Sequence, residues 1–197
     1  MRHFSIAALL VISACADGAQ NEPSSETAFF DRLSTLCGGE AFAGALVSTD
    51  AVDADFQTAT MTMGPAQCDG DMIRIPFAVE EDRSRTWEVS RTDAGVRLKH
   101  DHRHKDGTED VLTQYGGDSD GTGRAGAQNF PADDETKKLF TAEGIEVSNQ
   151  NTWTVEIEPG AQFVYQMARP ERLFRVEFDL TAPVETPPPT WGEAPIE

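Results

Sequence analysis

The sequence predicts an all-β protein whose body is one antiparallel, barrel-like domain with a few short helices. Three observations predict it. Apolar and polar residues alternate with a period of two along many short runs, the pattern of half-buried strands. Links of hairpin length, rich in Gly, Asp and Pro, separate those runs. The runs number about nine, enough for a sheet to curl on itself and remove its exposed edges. A β-sandwich accounts for the same pattern and is the alternative.

The chain opens Met1-Arg2-His3-Phe4 and then runs apolar from Ile6 to Ile12. A basic start before a short apolar run reads as a secretory signal peptide, and the run is shorter than the ~20 residues of a membrane span. Its end, Ile12-Ser13-Ala14-Cys15, resembles the lipobox of bacterial lipoproteins. The resemblance implies removal of residues 1–14 and lipidation of Cys15, which then anchors the protein to a lipid bilayer in the cell envelope. Ala16, where an aspartate would retain the protein, implies the outer membrane, facing the periplasm or the exterior. Residues 15–26 read as the lipidated cysteine and a flexible polar tether.

The β domain is placed at 27–181. Ser25 is positioned to cap a short helix over Glu26–Leu33, with Phe29, Leu33 and Leu36 on one face and Gly38-Gly39 as the stop. Strands are expected at 41–47, 57–63, 72–80 and 85–91. Pro76 lies on the outward parity of the third, which places it at an edge or a bulge. After the hairpin described below, 116–126 reads as a plain glycine- and aspartate-rich loop. Its Asp118-Ser119-Asp120-Gly121 lacks the downstream glutamate of an EF-hand. A short helix follows over 131–140, capped by Asp133 or Asp134. Three more strands are expected at 153–158, 162–168 and 172–180. Residues 182–197, with Pro187-Pro188-Pro189, read as an extended tail whose Trp191 packs back on the domain. A helix followed by Gly39-Glu40-Ala41-Phe42-Ala43-Gly44 also resembles the entry to a lipocalin or other calycin barrel, with Phe42 where that family usually has tryptophan.

Cys37 and Cys68 are the cysteines left after Cys15, and in an oxidising compartment they are expected to pair. The formal net charge is −18, and −19 without the one charge, Arg2, of residues 1–14. Such acidity excludes nucleic acid as a natural partner, because basic contacts to phosphate supply most of that affinity.

The most informative stretch is Val96 to Gly117. Val96, Leu98, His100, His102 and His104 share one parity, while Arg97, Lys99, Asp101, Arg103 and Lys105 share the other. The charged parity faces water, so the histidines point inward. A two-residue turn at Asp106-Gly107 sets His104 opposite Glu109, His102 opposite Val111, His100 opposite Thr113 and Leu98 opposite Tyr115. The candidate site is therefore His100, His102, His104, Glu109, Thr113 and Tyr115, at the polar end of an otherwise apolar interior. Imidazole and carboxylate suit a divalent transition metal such as zinc, copper or iron. His100 and His104 are about 13–14 Å apart along a strand, too far to share one ion. Neither a Gly-x-Ser-x-Gly motif nor a phosphate-cradling loop is present. The sequence favours a non-catalytic binding or scaffold domain that holds a small, partly apolar ligand. The alternative is a metal-dependent enzyme or metal-binding protein built on the histidine hairpin.

Overall fold

A computed structural model describes residues 22–192. Cys15 and its lipobox lie outside these residues. The chain enters through α1 (Ser25–Leu33), capped by Ser24, one residue earlier than expected; its Oγ accepts the Thr27 N–H at 3.2 Å. Phe29, Phe30 and Leu33 are buried, and Leu36 follows them inward from a single 3-10 turn. Cys37 sits directly after that turn and is bonded to Cys68, with Cα atoms 5.6 Å apart. The bond closes a sequence separation of 31 residues, worth about 3–4 kcal/mol in the chain-entropy description.

The strands are β1 (Ala41–Leu46), β2 (Met61–Met63), β3 (Gln67–Asp69), β4 (Met72–Val79), β5 (Asp82–Thr92), β6 (Gly95–His102), β7 (Tyr115–Asp118), β8 (Ala127–Pro131), β9 (Thr152–Glu158), β10 (Gln162–Arg169) and β11 (Arg172–Val184). A second helix, α2 (Asp134–Ala142), is capped by Asp133. Four elements differ from expectation. The second strand starts only at Met61, because Ala51–Gln57 is a 3-10 helix; Asp50 caps it and Arg172 grips its Asp53 through two contacts of 2.6 Å. Part of the glycine-rich loop is β7, and β8 had no clear alternation to announce it. β11 continues to Val184, so the tail begins as strand, with Pro183 paired to Phe42. Pro76 marks neither an edge nor a bulge. β2 pairs β4 as far as Phe77 and β3 pairs it from Arg74, so Pro76 faces the break between them. Farther on, Trp191 donates its backbone N–H to the Arg83 carbonyl at 3.0 Å, so the tail does fold back onto the domain.

All strands belong to one antiparallel sheet, in the order β7-β6-β5-β4-β2-β1-β11-β10-β9-β8, with β3 attached to β4. Apart from β3 and the step from β7 to β8, each strand pairs with the next in sequence, and β1 pairs β11 to join the two chain ends. The result is a nearly closed up-and-down barrel, compatible with a calycin-like fold, and not the two facing sheets of a sandwich. Its interior holds one continuous apolar core, from Phe29 and Leu33 to Phe178 and Leu180.

The remaining seam lies between β7 and β8, and α2 fastens it. Thr136 Oγ1 accepts the Gly116 N–H at 2.8 Å and donates to the Gly116 carbonyl at 2.9 Å. The Asp133 N–H donates to that same carbonyl, and the Asp133 carboxylate meets Lys99 Nζ at 2.7 Å. Gly117 lets the two strands approach, because a Cβ there would overlap the Pro131 carbonyl oxygen. Gly117→Val should therefore cost about 1–3 kcal/mol of stability as overpacking. Denaturant unfolding of the variant measures it, and an unchanged midpoint would show spare room at the seam.

Candidate functional site

α1 closes one end of the barrel. It packs beside the β5–β6 turn, where Glu26 approaches Gly95, and beside the β9–β10 turn, where Arg32 meets Glu158. The opposite end holds a cavity of about 330 Å³. Its walls follow from strand parity. On β5, Arg85 and Trp87 point inward; on β6, His100 and His102 lie directly across from Trp87 and Arg85. Trp153 of β9 faces Met167 of β10, and Tyr165 and Arg169 share the inward parity of Met167. The mouth is roofed by Phe56 from the 3-10 helix, edge-on to Phe174 at 5.2 Å, and by Phe140 of α2.

His100 is the polar centre of this wall and only 2% exposed. Its Nδ1 lies 3.0 Å from the Tyr115 carbonyl, which can only accept, so Nδ1 carries the proton. Nε2 then accepts from the Tyr165 hydroxyl at 2.8 Å. The ring also stacks on Tyr115, with centroids 4.5 Å apart. Beside it, the Tyr115 hydroxyl lies 3.1 Å from His102 Nε2. Burial pushes His100 down to about 3. Burial, reinforced by the Arg85 guanidinium, pushes His102 down to about 4. Burial also raises the Tyr115 and Tyr165 phenols, so both keep their protons. The cavity wall is thus neutral at His100, His102 and both tyrosines at physiological pH.

The structure brings together His100, His102 and Tyr115 and leaves His104, Glu109 and Thr113 elsewhere. For His104 the reason is that β6 ends at His102, and for Glu109 it is the turn. The His104 carbonyl accepts from Gly107, and its N–H donates to the Thr108 carbonyl. These bonds make a three-residue loop with Gly107 at φ +84°, where two residues were expected. One extra residue shifts the register by one and reverses the faces. Glu109 therefore pairs with Arg103, and both His104 and Glu109 have side chains 58% exposed. Residues 111–114 then loop out, which returns Tyr115 to the inward face opposite His100 instead of Leu98. Leu98 pairs with Gly117. Val111 is exposed, and Thr113 accepts the His102 backbone N–H at 2.9 Å as a loop brace.

The donor set does not fit a metal. Both ring nitrogens of His100 are engaged, and among the described residues no group of three or more His, Cys, Asp or Glu side chains is placed to share an ion. The cavity residues missed from sequence are chiefly Arg85, Arg169, Tyr165 and Phe174. The readable signal was arginine on an inward parity, beside Trp87 in one strand and after Tyr165 and Met167 in another. Comparison with family models, with curated proteins and with solved structures finds no match.

Because His100 and His102 sit below the ordinary 6.5 in the folded chain, the unfolded chain binds protons first as the pH falls. The stability contribution of keeping them neutral is intact above pH 6.5 and is lost progressively as the pH falls from there to about 4 for His102 and about 3 for His100. The slope is up to about 1.4 kcal/mol per pH unit for each histidine. Urea midpoints measured from pH 7 to pH 5 should fall for the wild type and fall less for His102→Gln. Parallel curves would place His102 in water.

Proposed function

We propose that this protein is a non-catalytic binding barrel, exported and lipid-anchored at Cys15 in the outer membrane, that holds one small, partly apolar molecule. The observation that carries the reading is the cavity itself: about 330 Å³, at the end of the barrel that α1 leaves open. Small-molecule sites span about 300–1,000 Å³, so this is a volume for one small molecule. Its wall is mostly aromatic, with Trp87, Trp153, Tyr165 and Phe174, and carries a few oriented polar groups. Binding sites for small molecules have this composition. The neutral, fully engaged His100 favours a structural and recognition role over acid–base chemistry.

Titration with N-phenylnaphthylamine, a neutral aromatic probe that fluoresces in apolar surroundings, tests the cavity. Saturable one-to-one binding is expected, and Met167→Trp, which fills the space beside Trp153, should abolish it. Unchanged binding by that variant would mean that the probe sits elsewhere and the reading fails.

The anchor has its own test. Mass spectrometry of the native N-terminus should find a diacylglyceryl or triacylated Cys15. An unlipidated peptide beginning at Ala16 or beyond would reject the lipobox reading.

A further inference from the structure

The charge of the cavity runs against the charge of the chain. The sequence holds 34 acidic and 16 basic residues, yet the cavity is lined by two arginines and by no Asp or Glu. The two arginines are not equivalent. Arg85 is neutralised by Asp82, with Nη1 2.8 Å from the carboxylate. Arg169 donates to the amide oxygen of Asn151 at 3.1 Å, and among the described residues no carboxylate lies within ion-pair distance of it. Its neighbour across the β10–β11 turn is Arg172, whose own charge is matched by Asp50 and Asp53. A half-buried guanidinium at an aromatic mouth without a carboxylate partner has its charge unmatched. That is the group that a bidentate acceptor such as carboxylate or sulfonate pairs with.

Resting on the binding-barrel reading, we propose that the ligand is an organic anion: a planar or compact apolar body seated among Trp87, Trp153 and Tyr165, with its anionic group on Arg169. The absence of any lining carboxylate argues against a cation, which the aromatic rings alone could otherwise attract. Asn151 holds the guanidinium in position without cancelling its charge. Arg85, on the opposite side of the barrel and already paired, contributes field and no vacant ion-pair position.

Two probes with the same ring body separate the cases. Anilinonaphthalene sulfonate is N-phenylnaphthylamine with an added sulfonate. Arg169→Gln should weaken the sulfonate about tenfold or more, the scale of one lost charge-assisted hydrogen bond, and leave the neutral probe within about twofold. Asn151→Asp supplies the missing counter-charge in the place of the amide, with Arg169 retained, and should weaken the sulfonate by a similar factor. It therefore tests the charge even where Arg169→Gln perturbs folding. Sulfonate binding that survives both substitutions overturns the proposal, as does an equal loss of the two probes. Those results leave the cavity reading standing so long as Met167→Trp still blocks the neutral probe. If Met167→Trp blocks neither probe, the cavity reading fails and the anion proposal with it.

Discussion

The hydrogen bond from the Tyr165 hydroxyl to His100 Nε2 crosses the barrel interior and joins two strands that are far apart in the sheet. On its β6 side, the proton that frees Nε2 to accept is held on Nδ1 by the Tyr115 carbonyl. That carbonyl belongs to the first residue of β7, so one imidazole ties β6 to β7 and both to β10. Around it, Trp87 stacks on Tyr165 at 4.5 Å and on Phe77 at 4.7 Å. The inner limit of the cavity is therefore a rigid aromatic wall whose polar atoms are satisfied. Breaking this unit from one side leaves a buried hydroxyl or carbonyl without a partner, a cost of about 1–3 kcal/mol for each group.

Part of the acidity of the chain is paired on the outside of the barrel. Arg175 reaches along its own strand to Glu177 and over β10 to Glu156, while Arg97 holds Asp118 and Arg74 holds Glu88 across neighbouring strands. Such half-exposed pairs contribute little stability individually. They match only part of the outward carboxylates, since the chain carries 34 acidic and 16 basic residues, while no carboxylate lines the aromatic cavity. Arg169, whose inward position removes it from that arrangement, stands out for this reason.

The fold was legible because alternation is a local property. Ile73, Ile75 and Phe77, or Val176, Phe178 and Leu180, announce their faces without knowledge of any partner strand. The disulfide was legible for a similar reason, since only two cysteines were left to pair. The site was half legible. His100 and His102 were placed correctly because parity within β6 holds to the end of the strand at His102. Glu109 was misplaced because its face depends on whether the turn contains two residues or three, and His104 because it lies beyond the end of β6 at His102. Lys105-Asp106-Gly107 serves either geometry, and hydrogen bonds from Thr108 to the Asp106 carboxylate select the longer one. β8 escaped notice because Ala127, Gln128 and Asn129 carry no apolar alternation; Gln128 is nevertheless fully buried. Tyr165 and Arg169 look ordinary in sequence, and only the curvature of the sheet brings Tyr165 to His100 and Arg169 into the same cavity as Arg85.

The order of the strands also has a kinetic meaning. Nearly every pairing in this barrel joins neighbours in sequence, so most of the sheet can grow by successive hairpins with short loop closures. The exception is β1 with β11, where Ala41 meets Val184 and Leu46 meets Val176. That contact spans most of the domain and carries the largest entropy of closure. The β7–β8 seam lies in mid-chain and leaves the runs before and after it without continuous pairing. The chain therefore divides into two local sheets, β1 to β7 and β8 to β11, whose union waits on the slowest and least local encounter in the molecule.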